Sequence, residues 1–150
     1  EMCIRDRTEA GLPIGAYFFS QALSMDEADQ EIEYMLGILG DYRLDMPIIL
    51  DWEIPASDAR TANMDARTLT DIQLYFCEKM KGLGYQPMVY FNWHQSENLY
   101  YLSELEDFPF WLALYQDRMR YPWKVEMWQY TCTGRVPGIN GDVDINVYMP

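Results

Sequence analysis

The chain is predicted to fold as an α/β protein, a βα barrel-like array closed by a run of strands. Two observations carry this expectation. From Leu12 to Leu105, strand-like apolar runs alternate with runs of helical period, and strands separated by helices pair in parallel through right-handed crossovers. After Leu105 the rhythm changes to three strand-like runs, FWLALY, VEMWQY and VDINVY, with no room for full helices between them. At 150 residues, with no internal repeat and no low-complexity linker, the chain is one domain by length.

Each element has its own justification. LPIGAYFFS, Leu12 to Ser20, is rich in aromatic residues and opened by a proline, which reads as the first strand. Ser24 then caps a helix, and Glu27 three residues on completes a capping box. Ala28, Ile32, Met35, Leu36 and Leu39 give that helix one apolar stripe, and Gly40 ends it. PIILDWE, Pro47 to Glu53, is the second strand, followed by a polar loop to about Asp65. The next helix sets Leu69, Ile72, Phe76, Met80 and Leu83 on one face and stops at Gly82 and Gly84. PMVYFNW, Pro87 to Trp93, is the third strand, and a shorter helical segment runs through Leu105.

Composition bounds the function. The chain is 49% apolar and 15% aromatic, which excludes a disordered tail. Most of its 12 Tyr, 5 Trp and 6 Phe must pack the core, but flat rings with a polar tip also suit sugar faces. A net charge of −13 argues against nucleic acid, anionic membranes and anionic wall polymers as partners. No apolar run reaches the roughly 18 residues of a membrane span, and no charged-then-apolar signal pattern opens the sequence. Cys3, Cys77 and Cys132 leave at least one thiol unpaired and lack metal-ligand spacing; nothing local supports a Cys77–Cys132 disulfide. With His94 as the single histidine, there is no Cys/His cluster and no clear Ser/His/Asp arrangement. Catalysis is therefore expected from carboxylates.

The second strand ends in Asp51-Trp52-Glu53. Residues i and i+2 of a strand share a face, so Asp51 and Glu53 point one way and Trp52 the other, with Leu50. A strand running out into solvent carries such charges ordinarily. A catalytic pair would use their proximity to push two pKa values apart. In βα architectures the chemistry sits on the carboxyl ends of the strands, which is where this pair lies. In the last strand, Val143, Ile145 and Val147 share one face and Asp142, Asp144 and Asn146 the other. Asp142 adjoins a glycine turn and fits a wet outer face. Asp144 fits either a wet face or a third acid near the first two.

Taken together, GLPIGAYFFSQA, PIILDWE, GYQPMVYFNW, FWLALY, MWQY and GINGDVDINVY, in that order, resemble glycoside hydrolase family 25, the lysozyme-type muramidases of bacteria, fungi and phage endolysins. The Asp-x-Glu strand end combined with the terminal Val-Asp-x-Asn pattern is the specific part. The resemblance implies an irregular TIM-like (β/α) barrel whose last strands lack full helices. It implies a peptidoglycan hydrolase cleaving the β-1,4 bond between N-acetylmuramic acid and N-acetylglucosamine. By motif, Glu53 resembles the general acid, Asp51 its partner, and Asp144 the aspartate of the closing motif. Tyr17, Tyr90, Trp111, Trp128 and Gln129 match positions around the family's sugar cleft, with core packing the competing role for each aromatic. Asn92, His94 and Tyr115 read as structural or rim residues. The implied partner is bacterial cell-wall peptidoglycan, met by a monomer outside the cell or in the wall, with neither metal nor organic cofactor.

The family opens with a strand carrying Asp-x-Ser, whose aspartate is a further active-site acid, and then a second strand. Nothing here matches either. Residues 1–10 are expected to be a leader outside the family pattern, its MCIRDR resembling a translated sequencing adapter, and residues 11–150 a partial catalytic domain. The barrel is then expected to be incomplete, open at the edges of PIGAYFFS and VDINVY, with activity impaired. Two other readings stand beside the muramidase: a saccharide-binding fragment that keeps the aromatic cleft, and a different barrel glycosidase sharing only the Asp-x-Glu.

Overall fold

Asp51 and Glu53 owe their placement to a single twisted sheet. The computed structural model describes residues 2–150, with side chains from residue 4 onward. The chain order is α1 (Met2–Glu9), β1 (Ala16–Ser20), α2 (Met25–Leu39), β2 (Ile48–Trp52), α3 (Ala66–Gly82), β3 (Pro87–Asn92) and α4 (Trp93–Asn98). A 3₁₀ turn (Leu102–Glu104), β4 (Phe110–Ala113), β5 (Met127–Gly134) and β6 (Val143–Tyr148) complete it. The six strands lie side by side in sequence order. Each pair from β1 to β5 is parallel, and β5–β6 is an antiparallel hairpin with irregular register after Gln129.

The sheet is curled. Strands three places apart in a flat sheet are separated by about 14 Å. Yet Tyr17 of β1 and Trp111 of β4 bring their ring centroids to 6.0 Å. Only a concave face lets side chains converge this way. Closure is not reached, however: β1 has β2 as its strand neighbour and β6 has β5, so both edges are open among the described residues. The sheet is a curled half-barrel whose open edges, β1 and β6, are the two that the sequence predicted to be open.

Alternation along each strand sorts side chains to two faces. Ile48, Leu50, Trp52, Val89, Phe91, Phe110 and Leu112 face the helices and form the main core with Ile32, Leu69, Ile72, Phe76 and Met80. Ile49, Met88, Tyr90, Trp111 and Ala113 form a smaller cluster on the concave side. Tyr17 and Phe19, on the open edge, are 61% and 48% exposed, as an uncovered strand requires.

Helix starts follow the caps. Ser24 Oγ accepts from the Glu27 amide at 3.2 Å, but the Glu27 carboxylate bonds the Leu23 amide and Arg60 rather than returning to Ser24. The capping box is thus only half formed. Asp65 caps α3, accepting from the Thr68 amide at 2.9 Å. Asn92 ends β3 and opens α4 with a complete box: its Oδ1 accepts from the Gln95 amide at 3.0 Å, and Gln95 Oε1 accepts from the Asn92 amide at 2.8 Å. Asn92→Ala is expected to lower stability by about 1 kcal/mol, measured as a shift in urea midpoint at unchanged slope.

Helix α1 was not legible as a helix, because its sequence is polar and carries no apolar stripe. Ile4 packs it against the core, with Arg5 and Glu9 paired one turn apart at 3.9 Å. Cys77 is buried in the helix-side core and Cys132 is exposed on β5; both are free thiols, so the Cys77–Cys132 bridge is not formed. The Cys3 side chain lies outside the described residues. Among the described residues no helix is long and apolar enough to cross a membrane.

Candidate active site

The site lies at the carboxyl end of β2, where the sheet stops pairing evenly. The β1–β2 register runs to Ser20↔Trp52, but the β2–β3 register ends at Leu50↔Val89. Asp51 and Glu53 point to the concave side, while Trp52 is fully buried on the other, its Nε1 donating to the Ala22 carbonyl at 2.9 Å.

Tyr90 stands across from the acids on β3 and donates its hydroxyl to Glu53 Oε1 at 3.0 Å. Burial, then the Glu53 and Asp51 charges, hold the Tyr90 phenol well above its usual range, so it remains a donor. Asp51 Oδ1 is buried without a hydrogen-bond partner among the described residues. Burial first, then the negative charges of Glu53 and Asp144, push the Asp51 carboxyl up to about 7. The carboxyl that keeps its proton towards neutral pH is thus Asp51.

Asp144 comes to this cluster from β6. It is exposed, and its charge is felt both at Asp51 and at the Tyr115 hydroxyl. Asp142 instead pairs with Arg135 at 2.8 Å. Trp111 packs edge-on against Tyr90 at 4.9 Å and donates its Nε1 to Asn146 Oδ1 at 2.8 Å, so with Tyr17 it walls the concave face. Gln129 is buried and accepts from the Tyr115 hydroxyl at 3.3 Å. Trp128 is not brought to this face. It packs against the helix-side core, with its Nε1 on the Leu114 carbonyl at 2.8 Å.

Two further residues bear on the site. Burial, then a contact with Cys132, then the Asp144 and Glu53 charges raise the hydroxyl of Tyr115 to about 12, while the residue itself is 56% exposed, as a rim residue would be. Its signal was register: Trp111, Ala113 and Tyr115 are two apart. Asn146, two residues from Asp144, had the same signal. An open groove of about 820 Å³ is lined by Tyr115, Asp117, Trp128 and Tyr130, and none of Asp51, Glu53 and Asp144 lines it. Among the described residues no group of three or more His, Cys, Asp or Glu is placed to hold a metal ion.

The raised Asp51 carboxyl has a consequence for stability. A group whose folded pKa lies above its unfolded value stabilises the fold below the unfolded pKa, and that contribution is lost as pH rises through the folded one. For Asp51 the window runs from 3.8 to about 7. Asp51→Asn is therefore expected to match the parent near pH 4 and to melt higher than it at pH 8. Parallel thermal melts at the two pH values check this; a variant no more stable than the parent at pH 8 would contradict the placement of Asp51.

Comparison with known proteins agrees with this arrangement. Residues 2–139 match the family described as glycosyl hydrolases family 25. YegX of Escherichia coli (strain K12) is 30% identical, over 93% of this chain and 49% of its own length, so the chain spans about half of the curated relatives it matches. The modular autolysin LytC from Streptococcus pneumoniae, solved in complex with a synthetic peptidoglycan ligand, is 25% identical with a TM-score of 0.83, covering 98% of this chain and 36% of that one. The modular Cpl-1 endolysin, complexed with a peptidoglycan analogue, is 25% identical with a TM-score of 0.67, covering 98% and 42%. By sequence and by the curled sheet that carries its acids, the chain belongs to glycosyl hydrolases family 25.

Proposed function

We propose that this chain carries the acid cluster of a peptidoglycan hydrolase, a muramidase that cleaves the β-1,4 bond between N-acetylmuramic acid and N-acetylglucosamine. One observation carries the reading: Asp51 and Glu53 share a concave face at a strand end, coupled to each other and to Asp144, with Tyr90 donating to Glu53. Family membership and the peptidoglycan ligands named for LytC and Cpl-1 support the substrate class.

In this reading Glu53 protonates the glycosidic oxygen as the C1–O bond breaks. The substrate's own acetamido oxygen attacks C1, an exception to the two-carboxylate scheme that some glycosidases use, and water then opens the resulting ring at C1, its proton returning to Glu53. Asp51 orients the acetamido group or offsets the positive charge that develops on the ring. Asp144 adds negative potential from the far side of the cleft. Tyr17 and Trp111 offer aromatic surface along the sugar path. The reaction takes place at the wall, outside the cell or in it, and uses no cofactor.

The test is clearing of purified bacterial walls, followed by analysis of the new reducing ends. New N-acetylmuramic acid ends support the reading. N-acetylglucosamine ends make this a different glycosidase. Saccharide binding without cleavage makes the chain a binding fragment, which the open β1 edge and the exposed Tyr17 beside it would suit.

A further inference from the structure

Three buried, uncharged side chains converge on the backbone that presents the two acids. Gln73, from α3, donates its Nε2 to the Leu50 carbonyl at 3.0 Å. Gln95, from α4, donates its Nε2 to the Trp52 carbonyl. Thr61, from the loop after β2, donates its hydroxyl to the Glu53 carbonyl at 3.0 Å. All three donors are at least nine-tenths buried. They act where the β2–β3 register has run out, at or just beyond Leu50.

A strand that leaves its neighbour exposes carbonyls that must find other donors, since unpaired buried ones are costly. Here the donors are side chains whose own positions are fixed. Gln95 is locked by the Asn92 box through its Oε1, and Gln73 by the Tyr100 hydroxyl at 3.2 Å. Carboxylates at these positions would add charge beside Asp51; amides and a hydroxyl hold the carbonyls without doing so.

We infer that Gln73, Gln95 and Thr61 are positioning residues that fix the Asp51–Glu53 strand end and so set the spacing and burial of its two acids. The structural part stands on the hydrogen bonds alone. Its value for catalysis rests on the muramidase reading above.

The test reads Asp51 directly, by carbon NMR titration of labelled aspartate side chains, assigned with Asp51→Asn. Groups facing Asp51 are Glu53 on its own strand end, Asp144 from β6, Tyr90 from β3 and Tyr100. Gln95→Met and Gln73→Met keep length and apolar volume but remove the donor; Thr61→Val does the same for the hydroxyl. Loosening the strand end admits water, and burial is the largest cause of the Asp51 shift. Each glutamine variant should therefore lower the Asp51 midpoint, by about 1 unit for Gln95→Met. Leu39→Ala, a buried change on α2 remote from this carbonyl row, should lower stability and leave the midpoint unmoved. If the glutamine variants move Asp51 no more than Leu39→Ala does, the three residues are merely structural and the inference falls. Should Gln95→Met fail to fold, Gln73→Met and Thr61→Val decide by the same readout. A chain that clears no wall while its Asp51 still responds refutes the muramidase reading and keeps the positioning role.

Discussion

Glu53→Gln is expected to lower wall hydrolysis by roughly 10²–10⁴-fold while leaving muropeptide binding nearly unchanged. The amide keeps the shape and can still accept from Tyr90, whose hydroxyl lies 3.0 Å from Glu53 Oε1. What it lacks is a proton to give the leaving oxygen. Tyr90→Phe is a useful companion, because it removes the hydrogen bond but leaves the acid, and should cost far less. The pH dependence has a definite sign. Asp51 keeps its proton until pH passes about 7, so the neutral form that can donate to the substrate's acetamido group is lost and lysis should fall as pH rises through that region. In Asp51→Asn that limb should move and the rate should drop. Lysis rates across pH, with binding by calorimetry, test all of this. Near-parental lysis by Glu53→Gln would end its assignment as the acid.

Which parts of this architecture were legible depended on how strongly one physical demand dominated each position. Helices α2 and α3 showed because each buries one stripe against the sheet, and Ala28, Ile32, Leu69, Ile72, Phe76 and Met80 fall on those stripes. Asp51, Glu53 and Asp144 showed through strand alternation, where a single step fixes the face. Trp111 was singled out by the resemblance alone, since both faces of β4 are buried and apolar, leaving no polarity in FWLALY to read. Trp128 misled for the opposite reason. Its motif suggested the cleft, but Met127 and Gln129 take the concave side, and alternation leaves Trp128 with the helix-side core. Gln73 and Gln95 carry no pattern that singles them out in the sequence. Their purpose depends on where β2 parts from β3, a tertiary fact with no local trace. Curling without closure was expected from the resemblance rather than from local pattern, since parallel pairing is compatible with either.

Trp52→Ala should be the most destabilising change near the site, costing roughly 3–5 kcal/mol. The indole is fully buried between β2 and the helices, and deleting it leaves a cavity that the surrounding core cannot fill. It also strips the Ala22 carbonyl of its donor, now 2.9 Å from Trp52 Nε1, which fastens the β1–α2 turn to the strand that holds the acids. A domain of this size has only about 5–15 kcal/mol to lose, so the alanine variant is expected to be partly unfolded at ambient temperature. Trp52→Phe separates the two contributions: it keeps most of the ring volume, loses the hydrogen bond, and should cost about 1–2 kcal/mol. Urea denaturation of both variants, with slopes compared to the parent, gives the numbers. A loss below about 1 kcal/mol for the alanine variant would mean the indole is not packed as described. It would also remove the reason for the acids' orientation, because the period of two that sends Asp51 and Glu53 into the cleft is held in register by the tryptophan it sends the other way.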